Sequence, residues 1–386
     1  MDSNNDSSSS EDELINNNLL PALSRTAQLL LQNNVSSSNN QRRNTIQRDR
    51  LEAEQLLIRH YFADDSTYGH DLFRRRFRMS KGLFMQLVGD LEMNYPYFQT
   101  TWDATNQRSF SGLQKCTSTI RQLAKGYNPD SLDEYLNMSE RTSREALENF
   151  CYGIVQMYKA EYLRRPTSTD IQKLYEAHEA RHGFPGMLGS IDCTHWNWRN
   201  CLTELRGQYM RGDHQYPTMI LEAVTSQDLW FWHAFYGVAG SNNDLNVLYQ
   251  SPLFDEKYHG TGPDCSFDLN GEHYKHGYYL ADGIYPTWVV FVKSYPHAIT
   301  NKKKRFKAAQ ESARKDVERT FGVLKGCWDI LKMSARAMTV KKTKNIMLSG
   351  LEKIGFPCVV GWQRLKRENK KKLMWQWVER EGLPPP

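Results

Sequence analysis

The hydrophobic rhythm of the chain changes twice. Residues 1 to about 48 are rich in Ser, Asn and Gln and nearly free of aromatics, too polar to offset the entropy of ordering. A disordered tail is expected there. From Arg48 to about Thr169 apolar residues return every three or four positions: Leu51, Leu56 and Leu57 lead to Tyr61, and Phe84, Leu87, Val88 and Leu91 repeat the interval. That is the period of an amphipathic helix, and residues 49–180 are read as an all-α N-terminal domain. Within it, residues 112–155 read as a helix, a Gly-containing turn, a short helix and a Ser-capped helix starting near Ser139. This order is compatible with a helix-turn-helix, and equally with an ordinary helical core.

From Gly183 the pattern becomes runs of β-branched and aromatic residues bounded by Gly, Pro and Asn, the mark of strands. Strands are predicted over 187–193, 218–225 and 229–238, consecutive and antiparallel. A helix over 241–253, capped by Asn or Asp, follows. After an irregular stretch, a fourth strand over 278–281 ends at Asp282. A helix from about Lys303 carries Phe306, Ala309, Ala313, Val317 and Leu324 on one face and should pack on the sheet. The class is therefore α/β, with a second domain over 183–345 built in the order β-β-β-α-β and then helix. Residues 346–386 form a C-terminal extension.

This order allows the first and fourth strands to lie side by side, so that Asp192 and Asp282 emerge at neighbouring positions. Glu318, at the border of the buried stripe on the last helix, can reach them. Asp282 and Glu318 enclose 35 residues, an interval suited to a carboxylate triad that binds two divalent ions for phosphodiester cleavage. Hard carboxylate oxygens suit Mg²⁺ or Mn²⁺. Each acid also has a plainer reading: Glu318 as an ion pair with Arg314, Asp192 as a strand end, Asp282 as the start of an Asp-Gly turn.

The formal charge of +6 is modest, but residues 301–325 alone hold nine basic and three acidic side chains. A DNA backbone would be drawn to Lys302, Lys303, Lys304 and Arg305, and to Arg314, Lys315 and Arg319 facing outward from the helix. Arg206 and Arg211, between the first two strands, are further candidates for phosphate contact. His195 stands close enough to Asp192 to touch substrate, or else to serve packing. Trp196, Trp198, Trp230 and Trp232 could stack on bases, though a sheet core is the commoner home for such residues. Seven scattered cysteines without a CxxC pair indicate neither a disulfide framework nor a zinc ribbon. No apolar run approaches the length of a membrane helix, so a protein of the cytoplasm or nucleus is expected, with the nucleus preferred for a DNA-cutting enzyme.

Five blocks in order, GFPGMLGSIDCTHWNW, RGQYMRGDHQYPTMILEAV, DLWFWHAFYGVAGSNNDLNVL, YYLADGIYP and AQESARKDVERTFGVLKGCW, resemble the plant PIF/Harbinger transposases. The Pong-like branch and the Harbinger-derived nucleases are the most similar, over about Tyr61 to Trp328. The resemblance implies an RNase H-like catalytic domain of the DDE superfamily, with Asp192, Asp282 and Glu318 as catalytic, metal-binding carboxylates. It also implies a DNA nuclease and transposase that cuts element ends and joins the 3′ hydroxyl to target DNA, a Myb-like accessory protein, and homo-oligomers that bring two ends together. A domesticated, non-catalytic chromatin or transcription factor is the alternative. Asp244 lies in a matching block too, but 73 residues separate it from Glu318, and capping a helix is its expected role. After Val340 the chain departs from these relatives. The helix that would cover the sheet is replaced by unrelated sequence, which leaves apolar surface to be shielded by those unrelated residues.

Overall fold

The structure, a computed structural model, describes residues 46–255 and 262–351. Most of the expected tail, and the extension beyond Leu351, lie outside the described residues.

The N-terminal half is helical, and local chemistry sets its boundaries. Asp49 caps α1 (Arg50–Leu57), accepting from the Glu52 amide at 2.8 Å. One π turn over Ile58–Phe62 follows, then α2 (His70–Phe77) and the Ser80-capped α3 (Lys81–Asn94). Ser111 and Gln114 form a capping box on α4 (Gly112–Lys125), which ends at Gly126 in the left-handed region, φ 63°. The short α5 (Asp133–Leu136) and the Ser139-capped α6 (Glu140–Tyr162) complete the predicted order. α4 is buried almost throughout, down to Gln114, Lys115, Thr117, Ser118 and Gln122, so it serves as the centre of a helical layer. Ser118, Gln122 and Ser143 satisfy one another there. A second capping box, Thr167 with Asp170, opens α7 (Ser168–His182).

The sheet comprises β1 (Met187–Asn197), β2 (Thr218–Thr225), β3 (Phe231–Ala239), β6 (Tyr278–Leu280) and β7 (Phe291–Val292), in the order β3-β2-β1-β6-β7. β1, β2 and β3 pair antiparallel as expected, whereas β6 runs parallel to β1 and to β7. Between them lie α8 (Thr203–Tyr209) and α9 (Asp244–Gln250). The stretch read as irregular contains a hairpin, β4 (Phe267–Leu269) with β5 (Glu272–Tyr274). β1 continues four residues beyond its expected end, since Trp196 and Trp198 are buried and donate their indole N–H to the Met333 and Ala337 carbonyls at 2.7 Å.

Each face of the sheet is covered. On one side α10 (Asn301–Cys327), capped by Thr300, lies along β1: Ser190 Oγ donates to Ala313 O at 3.2 Å and Lys325 Nζ to Thr194 Oγ1 at 3.1 Å. Ala313, Val317 and Leu324 are buried as predicted, and each apolar side chain as large as Val or Leu contributes about 1.5–3 kcal/mol by leaving water. Ala309 is exposed, contrary to the periodicity, because the first turns of α10 are mostly solvated. On the other side Val247 and Leu248 of α9 meet Ile220, Ile191 and Val224.

The residues that follow the point of departure supply the shielding: α11 (Val340–Leu351) forms a cover, with Ile346, Met347, Leu348 and Leu351 buried against α6 and β3. The apolar face is shielded within the described chain. A single hydrophobic cluster runs from the helical layer through β1–β3 into α10 and α11.

Candidate functional site

Period-two alternation and strand register build the site. Ser190 faces α10 through its bond to Ala313, and its parallel partner Leu280 clusters with the same Ala313. Two residues further along lie Asp192, still within β1 and on that face, and Asp282, just past the end of β6. β6 stops at Leu280, where Asp282 begins a turn, its Oδ1 accepting from the Ile284 amide at 3.0 Å. Buried Gln310 on α10 anchors this end by donating to the Ala281 and Val292 carbonyls at 3.1 and 3.0 Å. Below them Asp316, 1% exposed, meets His182 of α7 at 2.9 Å and also Arg319. These polar contacts fix the rotation of α10 beside the strands.

Glu318 is 43% exposed at the edge of α10 and joins Asp192 through one side chain. Arg314 approaches Glu318 Oε1 at 3.0 Å and Asp192 Oδ2 at 3.5 Å. The expectation that Arg314 faces outward is therefore overturned: its side chain is only 20% exposed and turns into the site. Arg319 likewise is committed to Asp316, while Lys315 stays exposed.

The electrostatics are those of crowded acids. Burial pushes the Asp192 carboxyl up to about 6, with Asp244 and Asp282 adding to the rise and the Cys193 amide and Arg314 opposing it. Asp244 is raised by burial and then by Asp282. So Asp244 belongs to this cluster, and its expected capping role is wrong: Asn243 caps α9, accepting from the Asn246 amide at 2.8 Å. Asp244 is the first helical residue. On the face opposite α10, the end of α9 is tied down by buried Glu222, which accepts from Ser251 at 2.6 Å and meets His233 at 3.1 Å. Cys193 lies 3.8 Å from the Tyr285 hydroxyl, and burial pushes its thiol well up.

The other candidates are dispersed. Lys302, Lys303, Lys304 and Arg305 are exposed on the first turns of α10, with Lys303 5.0 Å from the centre of the half-exposed Tyr295 ring. Arg206 is exposed on α8, and Arg211 pairs with Asp213 at 3.0 Å. His195 lies on the face away from Asp192, bonded to Thr218 Oγ1 at 2.9 Å and packed 4.7 Å from the His214 ring. Burial, with His214 and Arg211, pushes it down to about 4. A cavity of about 290 Å³ opens beside Val224, Trp232, His233, Phe254 and Tyr279, and none of the acids of the cluster lines it.

Among the described residues no three His, Cys, Asp or Glu side chains already enclose a position for an ion. Oxygen donors of the kind hard divalent cations prefer are nevertheless gathered near one another, since Asp244 and Asp282 both act on Asp192 and the Arg314 guanidinium bridges Asp192 to Glu318.

Comparison with known proteins gives one informative match. A family model described as plant transposon protein matches residues 160–354, a span that includes every acid of the cluster as well as α11. A second model, a domain of unknown function, matches residues 54–92 within the helical layer. No curated protein and no solved structure matches the chain.

Proposed function

The chain belongs to the plant transposon protein family, and from that premise we propose that it is a metal-dependent DNA nuclease and transposase of Harbinger type with an RNase H-like catalytic domain. The observation that carries the reading is the parallel Ser190–Leu280 register, with Asp192 and Asp282 each two residues beyond it and Glu318 linked to Asp192 through Arg314. The strand order β3-β2-β1-β6-β7, packed on α10, supports the fold.

Asp192, Asp282 and Glu318 would hold Mg²⁺ or Mn²⁺, with Asp244 as a fourth carboxylate near them. Two such ions, when bound, activate a water and stabilise the leaving 3′ oxygen of a phosphodiester. The protein supplies the rest. β1 presents Asp192 and the turn after β6 presents Asp282, Gln310 and Asp316 hold α10 in place, and the Lys302–Arg305 turn offers positive charge to the DNA backbone. By the same family reading a Myb-like protein would contribute recognition of element ends, copies of the chain would assemble across two ends, and the protein would act in the nucleus.

The test is nicking of supercoiled DNA by purified protein with Mg²⁺ or Mn²⁺, with and without a Myb-like partner. Wild type should nick and Asp282→Asn should not. Wild type that binds DNA with the partner but never cuts it would favour a non-catalytic chromatin factor instead.

A further inference from the structure

Arg314 stands where a cation belongs. It leaves α10 one turn before Glu318, and its two terminal nitrogens divide between Asp192 on the strand and Glu318 on the helix, at 3.5 and 3.0 Å. Helical periodicity puts this residue at the border of the buried stripe, free to turn either way. What draws it inward is the negative charge of Asp192, reinforced by Asp244 and Asp282. A lysine would bridge differently, because its three donors share one nitrogen whereas the planar guanidinium holds two donor nitrogens apart in a fixed fork.

The carboxylates that Arg314 bridges are two of those proposed to hold divalent metal. The guanidinium and an ion compete for the same oxygens. We propose that Arg314 is a positioning residue that acts as an exchangeable counter-ion: in the metal-free protein it holds Asp192 and Glu318 together, and it is displaced as metal binds. Once released, it turns toward the DNA phosphate that the metal site engages, where its fork matches two phosphate oxygens. Glu318 gains most from the bridge, because its exposed, flexible side chain would otherwise sample many rotamers before metal arrives. The inference rests on the metal reading proposed above and deepens it.

Opposed effects follow from one substitution. Removing the competing charge in Arg314→Met should tighten Mn²⁺ binding on the order of tenfold in the absence of DNA, because a positive charge beside the ion is lost. Single-turnover cleavage at saturating Mn²⁺ should fall at least about tenfold, since the phosphate contact is gone. Metal-free Arg314→Met should melt below wild type, and the difference should close when Mn²⁺ saturates both. Arg314→Lys, which keeps the charge without the fixed fork, should lie between the two in Mn²⁺ affinity.

Calorimetric titration of Mn²⁺ into wild type, Arg314→Met and Arg314→Lys, each checked for folding by circular dichroism, reads this directly. Tighter binding by Arg314→Met supports the exchange, including the case in which only that variant takes up measurable metal. Binding by Arg314→Met equal to or weaker than wild type overturns it and leaves the metal reading standing. If no protein of the set takes up Mn²⁺, both the exchange and the metal reading fall.

Discussion

Ser190 of β1 pairs in parallel with Leu280 of β6, and the two aspartates of the cluster, Asp192 and Asp282, each lie two residues beyond this pair. A slip of one residue would send Asp282 to the opposite face from Asp192. The register is protected from the other edge of β1 as well. A Cβ added to Gly189 would lie 2.6 Å from the Thr225 carbonyl of β2, so only glycine admits this close approach of the two strands.

Asp192 should trade stability for function. Its carboxyl is held up at about 6 in the folded chain, above an ordinary aspartate, so the stability it lends is full below about pH 4 and lost as pH rises through 6. Asp192→Asn, which cannot ionise, should therefore stabilise the metal-free protein at pH 7.5 by about 1–3 kcal/mol and have little effect near pH 4. Urea unfolding at the two pH values checks this. An Asn variant less stable than wild type at pH 7.5 would show that Asp192 is stabilised by its bond to Arg314 more than it is penalised by burial and its acidic neighbours.

Two of the tryptophans that could have stacked on bases, Trp196 and Trp198, serve the core. Trp198 is fully buried and donates to the Ala337 carbonyl at 2.7 Å. Trp198→Phe should cost about 1–3 kcal/mol by leaving that carbonyl without its donor, with no change in DNA affinity of the folded protein. A loss of DNA affinity at unchanged stability would return the residue to the DNA interface.

The exposed turn Lys302–Arg305 should act through phosphates. Replacing all four basic residues with Ala should weaken binding uniformly across DNA sequences. It should also reduce the steepness of log affinity against log salt by about 0.9 for each contact removed. Filter binding or anisotropy over a salt series measures the slope, and an unchanged slope would mean that the turn does not face DNA.

Much of this fold was legible because burial leaves a strong periodic signature. β2 could be read to the residue from TMILEAVT, and Ser139 announced α6. Other features depended on local chemistry that the pattern underweights. Asn270 and Gly271, at φ 54° and 83°, form the turn of the β4–β5 hairpin, and the Asn-Gly pair was the available sign of it. The cap of α9 turned on adjacent residues: Asn243 takes it, which releases Asp244 to join the acids. Arg314 was placed correctly on its helix and wrongly in space, because helical period fixes a direction only to within a side chain's reach. The charge that draws it inward comes from strands far off in sequence.

The central claim is that Asp192, Asp282 and Glu318 form one catalytic unit. It is tested most directly by single-turnover DNA cleavage with Asp192→Asn, Asp282→Asn, Glu318→Gln and the pairwise combinations, compared at saturating Mn²⁺. Residues acting together are non-additive: each single variant should lose nearly all of the activity, on the order of a thousandfold or more, and each double should be little worse than its weaker single. Cleavage that survives in any one single variant, or losses that multiply in the doubles, would contradict the assignment.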